Sequence, residues 1–120
     1  MAKILIVDDS AFTRNLIRRI LLQAGHEVVG TAANGAEAVE MYGNLKPDLM
    51  TLDYLMPDMN GEIVLDEVLG QDPRARVIMI SGSGDNTIGE RAVEMGAAMF
   101  IEKPDVQRHI VGAIDRVMHS

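Results

Sequence analysis

Cysteine is absent from this 120-residue chain. That one absence removes disulfides, thiolate zinc sites and cysteine nucleophiles together. Tryptophan is absent too, and there are only two tyrosines and two phenylalanines, which argues against a base-stacking surface for nucleic acid. Positive charge is scarce: 11 Lys and Arg stand against 18 Asp and Glu, for a formal charge of −7. Sequence-independent binding of DNA or RNA runs on clustered Lys and Arg, so no nucleic-acid partner is expected. No apolar run approaches the roughly 18 residues needed to cross a bilayer. The start, Met1-Ala2-Lys3 and a short run closed by Asp8-Asp9, is too short for a signal peptide. The expectation is a cytoplasmic protein without membrane insertion.

What is present is an ordinary globular composition, 48% hydrophobic and 24% charged. The length suits one domain over residues 1–120, a size that buries roughly two-thirds of its unfolded surface. Apolar runs of strand length alternate with amphipathic stretches of helix length. The runs are Ile4–Val7, Glu27–Thr31, Leu49–Leu52, Val77–Ile80 and Ala98–Ile101. Between the first two, Phe12, Leu16, Ile17, Ile20, Leu21 and Ala24 form a helical stripe, with Ser10 as N-cap and Gly25 as stop. Asn34-Gly35 opens a second helix bearing Ala38, Val39, Tyr42 and Leu45, which Lys46-Pro47-Asp48 ends. A third runs from the Asn60-Gly61 region to about Leu69, and a fourth ends near Gly96. The last carries Val106, Ile110, Ala113, Ile114 and Val117 on one face, with Asp105 as the expected N-cap. This is a strand–helix unit five times over. Continuous apolar strands are buried on both faces, as in a parallel sheet covered by helices on both sides.

The polar residues fall at the strand ends. Asp8 and Asp9 end the first run, Asp53 the third, Ser81 the fourth, and Lys103 follows the fifth. In a parallel sheet these ends share one edge, where open α/β sheets bind their ligands. Taken singly, each has a plain explanation: Asp9 as a helix cap, Ser81 as a loop hydroxyl, Lys103 as a solvated side chain, Pro104 as a helix boundary. Together, each after a different strand, they form a cluster. Two carboxylates about 4 Å apart repel by roughly 4 kcal/mol at an effective dielectric of 20. A hard divalent cation with oxygen ligands relieves this, and without His or Cys on that edge Mg²⁺ or Mn²⁺ is favoured over zinc. Such a metal keeps coordination positions for a phosphoryl oxygen, while Lys103 and Ser81 supply a cation and a donor.

The segments Ile6-Val7-Asp8-Asp9, Leu52-Asp53-Tyr54-Leu55-Met56-Pro57 with Asn60-Gly61, Ile80-Ser81-Gly82 and Lys103-Pro104 resemble, in order, the response-regulator receiver domain of two-component signalling. The resemblance runs from Ile4 to Val117. It implies a flavodoxin-like (βα)5 sandwich with strand order 2-1-3-4-5. It makes Asp53 the phosphoacceptor, with Asp8, Asp9, Asp53 and the backbone carbonyl of Leu55 around Mg²⁺. It places Ser81 and Lys103 on the phosphoryl group and a cis peptide between Lys103 and Pro104. Ser81 and Phe100 become the switch pair. Leu55 and Ser83, two past Asp53 and two past Ser81, tune hydrolysis. The chain departs from the common pattern in having Phe100 rather than Tyr, Asp105 after Pro104, and Glu62-Ile63 in inverted order; these concern the output surface.

Only 17 residues follow Lys103, so a stand-alone receiver is expected, or one excised from a larger regulator. The segment Asp8–Arg14 is most similar to chemotaxis receivers. That implies a CheA-like histidine kinase as donor and an output protein on the face of the fourth helix, fifth strand and last helix. Leu55 and Ser83 offer little to orient a hydrolytic water, so slow intrinsic hydrolysis and a separate phosphatase are expected, and a monomer is expected. A phosphorelay intermediate serving a histidine phosphotransferase is the alternative. A haloacid-dehalogenase-type phosphatase needs a second Asp where Leu55 stands. A flavodoxin-type flavin carrier needs a phosphate loop where Asp8-Asp9-Ser10 stands.

Overall fold

The computed structural model describes residues 1–82 and 84–119. Five strands, β1 (Lys3–Val7), β2 (Glu27–Ala32), β3 (Leu49–Asp53), β4 (Val77–Ser81) and β5 (Met99–Glu102), alternate with five helices. The helices are α1 (Ala11–Gln23), α2 (Gly35–Leu45), α3 (Gly61–Gln71), α4 (Asn86–Met95) and α5 (Val106–Met118), with a 3-10 turn, Lys103–Asp105, before α5. All strand pairs are parallel, in the order β2-β1-β3-β4-β5.

Strand alternation sorts the core into two layers. Leu5, Val7, Met50, Leu52, Val77 and Met79 pack with Ala38, Tyr42, Val64, Leu65, Val68 and Ala92, from α2, α3 and α4. Ile4, Ile6, Leu49, Ile78, Ile80 and Ile101 pack on the other side with Ile17, Leu21, Ile110, Ile114 and Val117, from α1 and α5. The expected apolar face of α5 is buried in full.

Local signals set the helix ends. Ser10, Asn34 and Asn60 each cap a helix, their side-chain oxygens accepting the N–H three residues on. Gly25 follows α1 at φ 87°, the left-handed conformation that terminates helices cheaply in glycine.

The α1 stripe is only partly core. Ile17 and Leu21 are buried, but Phe12 is 77% exposed and Ala24 is exposed. Phe12 lies in the first turn of α1, one residue after its start. Leu45 is also partly exposed, at 40%. Asp105 stands at the start of α5 without a side-chain capping bond, because the 3-10 turn already leads the backbone into the helix.

Candidate functional site

Register alone assembles the site. Val7 pairs with Leu52, so the next residues, Asp8 and Asp53, emerge side by side from β1 and β3. Asp53 pairs with Ile80, which brings Ser81 alongside. Ser81 pairs with Glu102, which brings Lys103 to the same edge. The chain reverses its strand order between β1 and β3, and the carboxylates sit at that switch point.

Asp8, Asp53 and Ser81 are buried, while Asp9 is exposed at the rim. Lys103 Nζ lies 3.2 Å from Asp8 Oδ2 and 3.4 Å from Asp53 Oδ2. Burial, then the charge of Asp8, pushes the Asp53 carboxyl up to about 7, against the opposing pull of Lys103. Burial lowers the Lys103 ammonium, but the charges of Asp53 and Asp8 outweigh it and hold the group above its ordinary value. The site thus contains more negative charge than one ammonium offsets.

A hard cation fits it. Ligand oxygens of Asp8, Asp9 and Asp53 lie within 4.8 Å of one another. Asp8 Oδ2 is buried with no hydrogen-bond partner among the described residues; its approach to Lys103 is an ion pair without hydrogen-bond geometry. All these donors are oxygens, the set Mg²⁺ takes. Asp9 is not a helix cap, since Ser10 holds that position.

Other expectations fare differently. The Lys103–Pro104 peptide is trans, not cis. A trans X–Pro bond is the cheaper form by about 0.5–1 kcal/mol, and the 3-10 turn brings the Lys103 ammonium to both acids with it. Ser83 lies outside the described residues. The Leu55 side chain is 60% exposed beside the site. Phe100 is half-buried and lies over Gly89 of α4, where a Cβ would come within 2.7 Å of ring atom Cε2.

Sequence reasoning missed Arg14. Its Nη1 donates to the Asp8 carbonyl at 2.7 Å, while Asp8 Oδ1 accepts the Ser10 N–H at 2.8 Å. Together they fix the turn that presents the acid pair. An Arg six residues past an Asp carries no signal until α1 folds back over that turn.

Residues 4–115 match the family model of the response regulator receiver domain. The chain belongs to that family, whose members are signalling switches that bind Mg²⁺ at an acidic cluster. It is 44% identical over 115 residues to the chemotaxis protein CheY of Thermotoga maritima, covering 96% of each chain. It is likewise 44% identical to CheY of Bacillus subtilis, covering 98% of each. The CheY chain in the CheX–CheY–BeF3–Mg²⁺ complex of Borrelia burgdorferi superposes with a TM-score of 0.92 at 38% identity, over 96% of this chain and 87% of that one.

Proposed function

We propose that this chain is a stand-alone chemotaxis response regulator. It takes a phosphoryl group from a CheA-like histidine kinase onto Asp53 and thereby changes its binding to an output protein of the flagellar or archaellar motor. One observation carries the reading: strand register places Asp53 between Asp8, Ser81 and Lys103 at the switch point of the sheet. The near-full-length similarity to CheY proteins supports the pathway.

The chemistry needs an ionised Asp53. One of its oxygens attacks phosphorus, the bond from phosphorus to the donor's imidazole nitrogen breaks, and the electron pair leaves with the imidazole. Asp8, Asp9, Asp53 and the Leu55 carbonyl would hold Mg²⁺, for which Mn²⁺ could substitute. When bound, the ion offsets the clustered negative charge and stabilises charge on the transferring oxygens. Lys103 reaches another phosphoryl oxygen, and the Ser81 hydroxyl closes on a third. Movement of Ser81 makes room for Phe100 to turn inward, which alters the α4-β5-α5 face. That face holds a groove of about 620 Å³, lined in part by Asn86, Phe100, Glu102, Arg108, His109 and Arg116. Its basic rim on α5 suits an acidic segment of the output protein. The protein acts in the cytoplasm as a monomer, and catalyses only the gain and loss of its own phosphoryl group.

The test is acetyl phosphate with Mg²⁺ or EDTA, borohydride trapping and mass mapping. The expected label is confined to Asp53, requires the metal and vanishes in Asp53→Asn. Label elsewhere, or equal label in EDTA, overturns the assignment.

A further inference from the structure

The loop Tyr54–Asn60 joins β3 to α3 and carries Leu55, whose carbonyl is the one metal ligand in the proposed set that no side chain supplies. Its near end is fixed to the sheet. The Tyr54 N–H donates to the Ile80 carbonyl at 2.8 Å, and the Gly61 N–H donates to the Tyr54 carbonyl at 2.6 Å. Its far arm is fixed to a different element. Asp58 Oδ1 accepts the Gly35 N–H at 2.9 Å, and Asp58 Oδ2 accepts the Ala36 N–H at 3.0 Å.

These are the first two residues of α2, and a helix leaves such N–H groups without partners of its own. Asn34 Oδ1 takes the next one, from Glu37, at 2.9 Å, and the Asn34 carbonyl takes the fourth, from Ala38, at 3.1 Å. The start of α2 is therefore completed by a carboxylate 22 to 23 residues away in sequence. Asp58 is solvent-exposed, yet those two N–H groups hold its carboxyl below the usual carboxylate range.

A second contact seats the same arm. A Cβ on Gly35 would clash with Met59 Cγ, lie 2.7 Å from Met59 Sδ and lie 3.0 Å from Val64 Cγ2. Only glycine lets the loop lie this close against α2. Met56, between the two fixed ends, is buried in the core.

We propose that Asp58 is a positioning residue for the metal site: its two-pronged grip on the start of α2, seated by Gly35 against Met59, sets the height of the Leu55 carbonyl and so the affinity for Mg²⁺. Asp58 is not one of the three acids of the metal cluster, Asp8, Asp9 and Asp53. Its effect passes through the loop backbone, as outer partners of metal ligands commonly act.

This inference rests on the metal-site reading above, and the experiment separates the two. Mg²⁺ is titrated calorimetrically into wild type, Asp58→Asn and Gly35→Ala, and each is melted in EDTA and in saturating Mg²⁺. Asp58→Asn keeps the side-chain size but turns a donor toward one of the two N–H groups. Gly35→Ala leaves Asp58 intact and displaces Met59 instead. Both variants are expected to bind Mg²⁺ about tenfold more weakly, with a smaller Mg²⁺-induced rise in Tm than wild type. A helix-capping role alone would lower Tm equally in EDTA and Mg²⁺ at unchanged affinity, and that result overturns the proposal. Absence of Mg²⁺ binding by wild type would instead overturn the metal-site reading itself.

Discussion

Thr51 and Asp53 point to the same face of β3, two residues apart, and both are buried. Thr51 Oγ1 has no hydrogen-bond partner among the described residues, so its desolvation is uncompensated. Thr51→Val keeps the shape and removes the stranded hydroxyl, and should raise stability by about 1 kcal/mol in urea unfolding. Asp53 carries a larger cost with a pH signature. Its folded-state value, about 7, lies above the roughly 3.9 of an unfolded Asp. The native state therefore binds more protons between those limits, and this group's contribution to stability falls as pH rises from about 4 to 7. In EDTA, Asp53→Asn should flatten that slope and be the more stable protein at pH 8 by about 2 kcal/mol. Saturating Mg²⁺ should remove most of the advantage, which urea titrations at pH 5 and 8 would show. On the proposed function, Leu55 would bear on signal lifetime. An apolar side chain cannot orient a hydrolytic water, so Leu55→Asn should speed decay of the phosphorylated protein, toward the roughly 10²-fold typical of a positioned proton-transfer group. Equal decay of the two proteins would clear Leu55 of that role.

The strands and most helix boundaries could be read from sequence because their causes are local. Caps at Ser10, Asn34 and Asn60 act within three residues, and apolar periodicity needs only the helix itself. The misplacements have non-local causes. Phe12 fits the α1 stripe by spacing but is left 77% exposed by the tertiary packing. Asp105 stands where a cap belongs, but the preceding 3-10 turn removes the need. One cap is strained: Lys46 closes α2 at φ 46°, ψ 61°, left-handed for a residue with a side chain. Lys46→Gly relieves that strain but loosens the unfolded chain, so the net gain should be roughly 0.5–1 kcal/mol, read as a higher Tm.

At the scale of the whole molecule, the proposed function requires the site and the α4-β5-α5 face to communicate, and Phe100, on β5, borders the groove on that face. Its ring borders the groove lined by Arg108 and His109 and also the neighbouring groove of α4 with Val93 and Glu94. With no hydroxyl to satisfy, the inward turn proposed for the ring would leave no polar group dry. Phe100→Tyr restores a group that seeks water or a partner outside, and should weaken the unphosphorylated protein's binding to its output partner. Unchanged basal affinity would count against the ring as the switch. The sequence by itself determined the five strand–helix units, the two-sided burial of the strands and the residue types at their ends. Those follow from periodicity and from motifs a few residues long. Only the tertiary structure decided how those ends meet. Strand order and register bring Asp8, Asp53, Ser81 and Lys103 together from four strands. The fold-back of α1 sets Arg14 behind Asp8, and the packing of the β3–α3 loop on α2 joins Asp58 to Gly35 and Ala36. These partners lie between 6 residues apart (Asp8 and Arg14) and 95 apart (Asp8 and Lys103) in the chain, so no local pattern encodes their pairing; it exists only once the sheet has formed.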